Sequence, residues 1–393
     1  MKWGPGEMMT GSATEQPTKP GKPGVPREFR LDFFRGLALI FIFLDHIPSN
    51  ALNWLTIRNF GFSDASEAFV FIAGYSAVLA YGRRLDVNGF VFVAARIYKR
   101  CWQLYVAQLL LFMVFTAQVA YTMEKFNNPM YSEEMGIVNF FNEPHITLMQ
   151  AILLKFRPTN MDILPLYIVI LATFPFVLLG LRHFPKCVLL ISGLVYLATS
   201  RFAWNFPTWP DGTWLFNPLA WQFLFVLGAA AGVAHGRPWM RRFRAWVVPL
   251  AALYLLFALF VVSTWHFPFL EIYLPDRLES MLYPIDKTDL SPLRLVHFFA
   301  LAYLVILAVP ADSRLMKWRL LQPVIRCGQH PLEIFCLSIF LSFAGHMLLV
   351  ELSDTLAAQA AVSVAGIVLM VAAAYYLGWY RKLEKSAVAG RGA

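Results

Sequence analysis

The chain has 393 residues, of which 58% are hydrophobic and 15% charged. A mean hydropathy of +0.56 is more than a soluble domain can bury, so the soluble globular and disordered classes are excluded. The formal charge of +9 then points to basic loops on one face of a membrane, and no nucleic-acid partner is expected.

Residues 1–26 contain "GPGEMMTGSATEQPTKPGKPGVP", rich in Gly, Pro and polar residues. This reads as a disordered cytoplasmic tail. No apolar core follows the first positive charges, so no cleavable signal peptide is expected.

From there apolar runs near the length a bilayer core demands recur to the end. About ten spans are expected, near 33–54, 66–81, 97–120, 164–181, 187–204, 215–234, 247–265, 293–310, 331–350 and 357–379. The fold class is thus all-α, a polytopic integral membrane protein whose transmembrane domain covers 27–380. Residues 381–393 form a second short cytoplasmic tail. One set of loops, with both tails, holds 25 of the 33 Lys and Arg, so both termini are expected in the cytoplasm. The lipid bilayer is therefore the first partner, and in a bacterium the membrane is the inner one.

The first span, "RLDFFRGLALIFIFLDHIP", carries more charge than hydrocarbon tolerates without a use for it. Arg35 and His46 are 11 positions apart, within about 20° of one helix face and about 16 Å apart along the axis. Asp45 projects about 100° away and cannot readily orient the imidazole of its neighbour. A partner for His46 must come from another helix.

The second span opens with "SDASEAF", and its start meets the far end of the first. His46 with Asp64 or Glu67 would be a base oriented by a carboxylate. The same stretch reads equally as a helix cap with acids in the first turn. Ser63 precedes it. Asp162 opens the fourth span, and Asn217, Trp221 and Gln222 open the sixth. Arg294 and His297 share one face of the eighth. These polar groups gather at the His46 end as candidate substrate-binding residues. The many Trp residues there fit an interfacial belt, and would also stack on sugar rings.

Two longer segments, 121–163 and 266–292, lie at the same end. Within the first, "ITLMQAILLKF" has near-helical apolar spacing and suits a helix along the membrane surface. The second is aromatic and Pro-rich, fit for a lid or a binding wall. "GAAAG" at Gly228–Gly232 is a small-residue pattern that lets helices approach closely.

At the opposite end Arg83, Arg84, Arg96, Lys99 and Arg100 form a dense basic loop. The positive-inside rule accounts for it; a sharper reading is an anion site for the phosphates of a nucleotide-bearing donor. No Gly-rich phosphate loop is present, which argues against ATP hydrolysis or a dinucleotide-binding domain. The four cysteines have no C-x-x-C spacing, and no metal site is expected. Composition alone is equally compatible with a transporter of glucan or a small organic acid, but no paired inverted repeat is visible.

Six blocks in order resemble the OpgC family, inner-membrane proteins that succinylate osmoregulated periplasmic glucans. They are "RLDFFRGLALIFIFLDHIPSN", "RNFGFSDASEAFVFIAGYS", "MDILPLYIVIL", "FNPLAWQFLFVLG", "DKTDLSPLRLVHFFALAYL" and "LQPVIRCGQHPLEIFCLSIFLSF". The opening "RLDFFRGLA" also resembles the wider transmembrane acyltransferase superfamily. The resemblance implies an acyl-CoA donor, succinyl-CoA for this family, with no permanently bound cofactor, and a periplasmic β-glucan acceptor. It implies that His46 is the catalytic residue and that Arg30 and Arg35 stand where the family's opening arginines do. Arg83, Arg84, Arg96 and Arg100 then join them as candidates for holding the donor nucleotide. Arg294 is the candidate clamp for a succinyl carboxylate. "GQHPLE" at Gly328–Glu333 departs from the more polar run expected there. Acyl-chain identity, acceptor linkage and any homo-oligomer stay open.

Overall fold

The computed structural model describes residues 28–234, 244–310 and 313–390. The tail expected over 1–26 and the loop cations Arg237, Arg241 and Arg242 lie outside the described residues. Among the described residues every regular element is helical. Ten helices are long: α1 Phe29–Asp45, α2 Ala65–Asn88, α3 Phe90–Phe126, α4 Ile163–His183, α5 Pro185–Phe202, α6 Pro218–Val233, α7 Arg244–His266, α8 Pro292–Ala308, α9 Pro331–Glu351 and α10 Leu356–Gly390. Six of them, α2, α3, α4, α7, α9 and α10, are long and apolar enough to cross a membrane. α6 and α8 are apolar but shorter. α10 runs on through Gly390, so the tail expected from 381 continues a helix instead of starting a separate segment.

α1 ends at Asp45, nine residues before the expected end of the span. Pro48 cannot continue a helix and disfavours helical backbone at Ile47. Ser49 then turns left-handed at φ 56°. The chain proceeds as two 3₁₀ turns, Ala51–Leu55 and Ile57–Asn59. Asn50 caps the first, accepting from Leu52 N at 3.2 Å, and its amide donates to Ser363 Oγ of α10 at 3.0 Å. The end of α1 is therefore held by side-chain hydrogen bonds rather than by more helix.

α2 and α6 cross at the centre. Their backbones touch where both lack a side chain: a Cβ on Gly74 would lie 2.1 Å from Phe225 O, and one on Gly228 would lie 2.2 Å from Phe71 O. The expected small-residue packing at Gly228–Gly232 is thus a backbone-to-backbone seam. α10 and α7 lie at the periphery, with only 17% and 22% of their most apolar windows buried.

At the His46 end the segment 127–162 folds into short helices. One, Pro144–Ile152, buries Thr147 and Ala151 but exposes Leu148, Met149 and Ile152. The stretch "ITLMQAILLKF" is thus helical through Ile152 and carries an exposed apolar face. The 266–292 segment packs Leu274 and Leu282 with Phe62 and with Ala258, Val261 and Val262 of α7. It is a wall fixed by its own small apolar core.

The α2–α6 seam gives a direct test. Gly228→Ala drives a methyl into a carbonyl that belongs to the backbone, an overpacking cost of about 1–3 kcal/mol. The thermal unfolding midpoint in detergent falls by several degrees. An unchanged midpoint contradicts the close approach.

Candidate functional site

Three pieces of chain meet at the His46 end: the end of α1, the start of α2 and the loop before α8. The start of α2 is a complete capping box. Asp64 accepts from Ser66 N at 2.7 Å, while Glu67 accepts from Asp64 N at 2.9 Å. The capping reading of these two acids is therefore met in full. Each acid also has a free oxygen, and both reach a cation. Arg294 Nε donates to Glu67 Oε1 at 2.8 Å, and its Nη2 lies 2.7 Å from that oxygen and 3.1 Å from Asp64 Oδ2. Lys287 Nζ donates to the same Asp64 oxygen at 2.7 Å.

Glu67 is fully buried and Arg294 nearly so. Burial works against the Asp64 carboxylate, but the Lys287 ammonium and then the Arg294 guanidinium outweigh it and hold the carboxyl far below its ordinary range. Asp64 is thus a permanent anion in this cluster. Arg294 is its counter-ion and Glu67's. The Arg294 Nε and Nη2 face these two protein carboxylates, and the residue also lines the cavity in front of the cluster, where the succinyl clamp was expected.

Lys287 is a residue that the sequence reading missed. Its backbone is set by two of the predicted residues. Asn217 caps α6, accepting from Leu219 N, donates to Asp289 Oδ1 at 2.7 Å, and its backbone N–H donates to Thr288 O. Trp221 Nε1 donates to Lys287 O at 3.1 Å and Thr288 O at 3.2 Å. Asn217 and Trp221 therefore lie behind the site and hold the loop that presents Lys287. Gln222 turns elsewhere: it accepts from Ser192 Oγ at 2.6 Å and donates to Ser192 O, tying α6 to α5.

In front of the cluster lies a cavity of about 660 Å³. Of the predicted residues, Asp45, His46, Ser63, Asp64, Asp162 and Arg294 line it. So do Trp265, one of the Trp residues expected at this end, and Arg58, Arg157, Lys287 and Phe216, none of which the sequence reading singled out as a site residue. Its volume falls within the range of small-molecule sites.

His46 is the residue after α1. Its Nδ1 is buried and has no hydrogen-bond partner among the described residues. The carboxylate partner expected from Asp64 or Glu67 is not made: both acids are taken by backbone N–H groups and cations. Asp45 turns away as expected and accepts from Thr56 Oγ1 at 2.7 Å. Burial, and then the charge of Lys287, disfavour the imidazolium and push the His46 pKa down to about 3. His46 is a neutral imidazole on a cavity wall.

Also on the cavity wall, Asp162 accepts from Arg157 Nε at 2.8 Å, and Arg157 lies over the Trp214 ring at 4.2 Å. Burial raises the Asp162 pKa against the pull of Arg157. His297, on α8, reaches the cavity only through Ser63, whose Oγ is 2.7 Å from His297 Nδ1.

At the other end of the bundle, Arg30 is held by Glu28 at 2.5 Å and by Val309 O at 3.0 Å. Arg35 donates to Ser76 Oγ at 2.5 Å and Gly328 O at 3.2 Å, beside Asp32. The "GQHPLE" run thus receives Arg35 through its first backbone carbonyl. Arg83, Arg84 and Arg96 are exposed, and Arg100 is half-buried beside Gln103. Between the two ends lies an apolar void of about 10 Å³ bounded by α2, α4 and α6. Ile163 lines both the void and the large cavity. Tyr167, also on the void, lies within electrostatic reach of Arg100 and Arg35. Among the described residues no group of three His, Cys, Asp or Glu side chains converges as a metal site.

Removing Arg294 leaves the buried Glu67 without its counter-charge and Asp64 with Lys287 alone. Arg294→Gln is expected to cost about 3–5 kcal/mol, read as a fall in the detergent unfolding midpoint. The double variant Arg294→Gln with Glu67→Gln recovers part of the loss. An Arg294→Gln midpoint equal to wild type contradicts the ion cluster.

Comparison with known proteins gives one family. The family model described as "OpgC protein" matches residues 27–382. No curated protein and no solved structure matches the chain. The match covers the whole bundle, including the cavity, the capping box and the α8 arginine, and membership implies a glucan-modifying acyltransferase. The chain belongs to the OpgC family.

Proposed function

We propose that the protein is a membrane O-acyltransferase that moves an acyl group, succinyl, from cytoplasmic acyl-CoA to a hydroxyl of a periplasmic β-glucan. In this reading it lies in a bacterial inner membrane with all ten long helices embedded. Both termini are cytoplasmic and the His46 cavity faces the periplasm. The bias of Lys and Arg toward the Arg35 end supports that orientation.

The observation that carries the reading is His46. An imidazole with a buried nitrogen that has no hydrogen-bond partner among the described residues borders a cavity wide enough for a sugar residue. It would take the proton of the acceptor hydroxyl as that oxygen attacks the acyl carbonyl. Base assistance of this kind is worth about 10²–10⁴ in rate. Asp64, Glu67, Lys287 and Arg294 would act on the site as a fixed field. Asp64 keeps the ammonium of Lys287 at the cavity wall, where it favours negative charge developing on the carbonyl oxygen. Asp45, Ser63 and Asp162 offer acceptors to sugar hydroxyls, with Trp265 as an apolar surface.

The donor would approach from the other end, its phosphates near Arg83, Arg84, Arg96 and Arg100. Arg30 and Arg35 are tied to protein oxygens and would shape that entrance. The chain of Tyr167, the apolar void and Ile163 supports a path for the pantetheine arm between α2 and α4. A void of one water's size must widen for the arm to pass.

Reconstitution with radiolabelled succinyl-CoA and a β-glucan tests the reading. Wild type transfers label and releases one CoA for each acyl group transferred. His46→Ala lowers transfer by about 10²-fold or more. Transfer at the wild-type rate by His46→Ala removes the base. The pH dependence is a separate check. An imidazole whose pKa is pushed down to about 3 stays unprotonated as pH falls from 8 to 5. The value of kcat/KM therefore shows no loss from His46 in that window. A loss centred near the ordinary imidazole value, about 6.5, that disappears in His46→Gln would contradict it.

A further inference from the structure

Ser63, on the wall of the same cavity, forms a second couple with His297 behind it. Ser63 lines the cavity and its Oγ is 2.7 Å from His297 Nδ1. The backbone N–H of Ser63 also donates to that nitrogen, at 3.3 Å. A backbone N–H can only donate, so Nδ1 carries no proton and is the acceptor. The Ser63 hydroxyl must then point its hydrogen at the ring. That is the polarity of a nucleophile and its base.

The ring is held in place. It is nearly buried, Phe62 and Tyr254 lie 5.9 and 6.5 Å from it between centroids, and a Cβ on Gly61 would overlap its Nε2 at 1.9 Å. α2 begins two residues after Ser63, so the positive end of its dipole lies beside the hydroxyl. Lys287, on Asp64, adds a cation on the same wall.

We propose that Ser63 carries the acyl group as a covalent ester between donor and acceptor, with His297 as its base. The proposal rests on the acyltransferase reading and divides its chemistry into two steps. Ser63 Oγ attacks the thioester carbonyl; the C–O bond forms and the C–S bond breaks. The hydroxyl proton passes to His297 Nδ1 and from there to the departing thiolate, which leaves as free thiol. The glucan hydroxyl then attacks the seryl ester and gives its proton to His46. As the ester C–O bond breaks, that proton returns to Ser63 Oγ, and both residues are restored. The two histidines serve opposite half-reactions, one for the enzyme's hydroxyl and one for the sugar's.

The test incubates full-length protein with radiolabelled succinyl-CoA without glucan, quenches in acid and maps the label by peptide mass spectrometry. The expected result is one acyl group on the Ser63 peptide, released when β-glucan is added before the quench. Ser63→Ala takes up no label and loses about 10²-fold or more of transfer. Ser63→Cys still acquires label, now as a hydroxylamine-sensitive thioester, which separates lost chemistry from lost folding. His297→Gln slows labelling while its unfolding midpoint stays near wild type. Transfer by Ser63→Ala at the wild-type rate, or wild-type transfer with no label on Ser63, overturns the serine ester and leaves the acyltransferase reading intact. Absence of glucan acylation and of CoA release by wild type overturns both.

Discussion

The structure depends on one buried charge cluster. Asp64 and Glu67 cap α2 and share Arg294 of α8, with Lys287 on the outer oxygen of Asp64. Burying such charges costs several kcal/mol per ion unless each is paired and hydrogen-bonded. Here the pairing joins residues 227 and 230 positions apart in sequence. It closes the helix ends around the cavity and sets the potential that His46 feels. The same contacts that satisfy a helix terminus thereby build the wall of a reaction site.

That arrangement explains why His46 has no carboxylate behind it. A carboxylate on Nδ1 would favour the imidazolium, whereas a nearby ammonium favours the neutral ring. The two acids that might have paired with it are spent on the cap and on cations. The field of the cavity is thus tuned by Lys287, and Lys287 is placed by hydrogen bonds from Asn217 and Trp221 to its loop. Residues that never touch the cavity still decide its charge.

Much of this was legible in the sequence, and the limits have physical causes. Each long helix among the described residues overlaps an expected apolar run, six of them long and apolar enough to cross a membrane, and the SDASE stretch announced its capping box, because both signals are local. The end of α1 was placed too late, since Pro48 interrupts an apolar run without making it polar. His46, Ser63, Asp64 and Asp162 were found as polar groups at helix ends. Arg58, Arg157 and Lys287 were missed as site residues because they sit in a short 3₁₀ turn and in loops, where a cation has no periodic context. The partner of a charge was the hardest to read. Arg294 was read as a cation at the cavity, but its partners Asp64 and Glu67 were not foreseen, and Gln222 looked like a cavity residue until Ser192 of α5 claimed it.

The account's central claim is that the acyl group is handed over in the cavity beside His46. A cryo-electron microscopy map of the double variant Ser63→Ala with His46→Gln, which can cleave the thioester by neither step, with bound succinyl-CoA tests it most directly. The account predicts the nucleotide at the Arg35 end, the pantetheine between α2 and α4, and the thioester carbon in the cavity bounded by His46, Ser63 and Lys287. Density for the thioester outside that cavity, at the lipid-facing surface or among the basic residues of the opposite end, would contradict it.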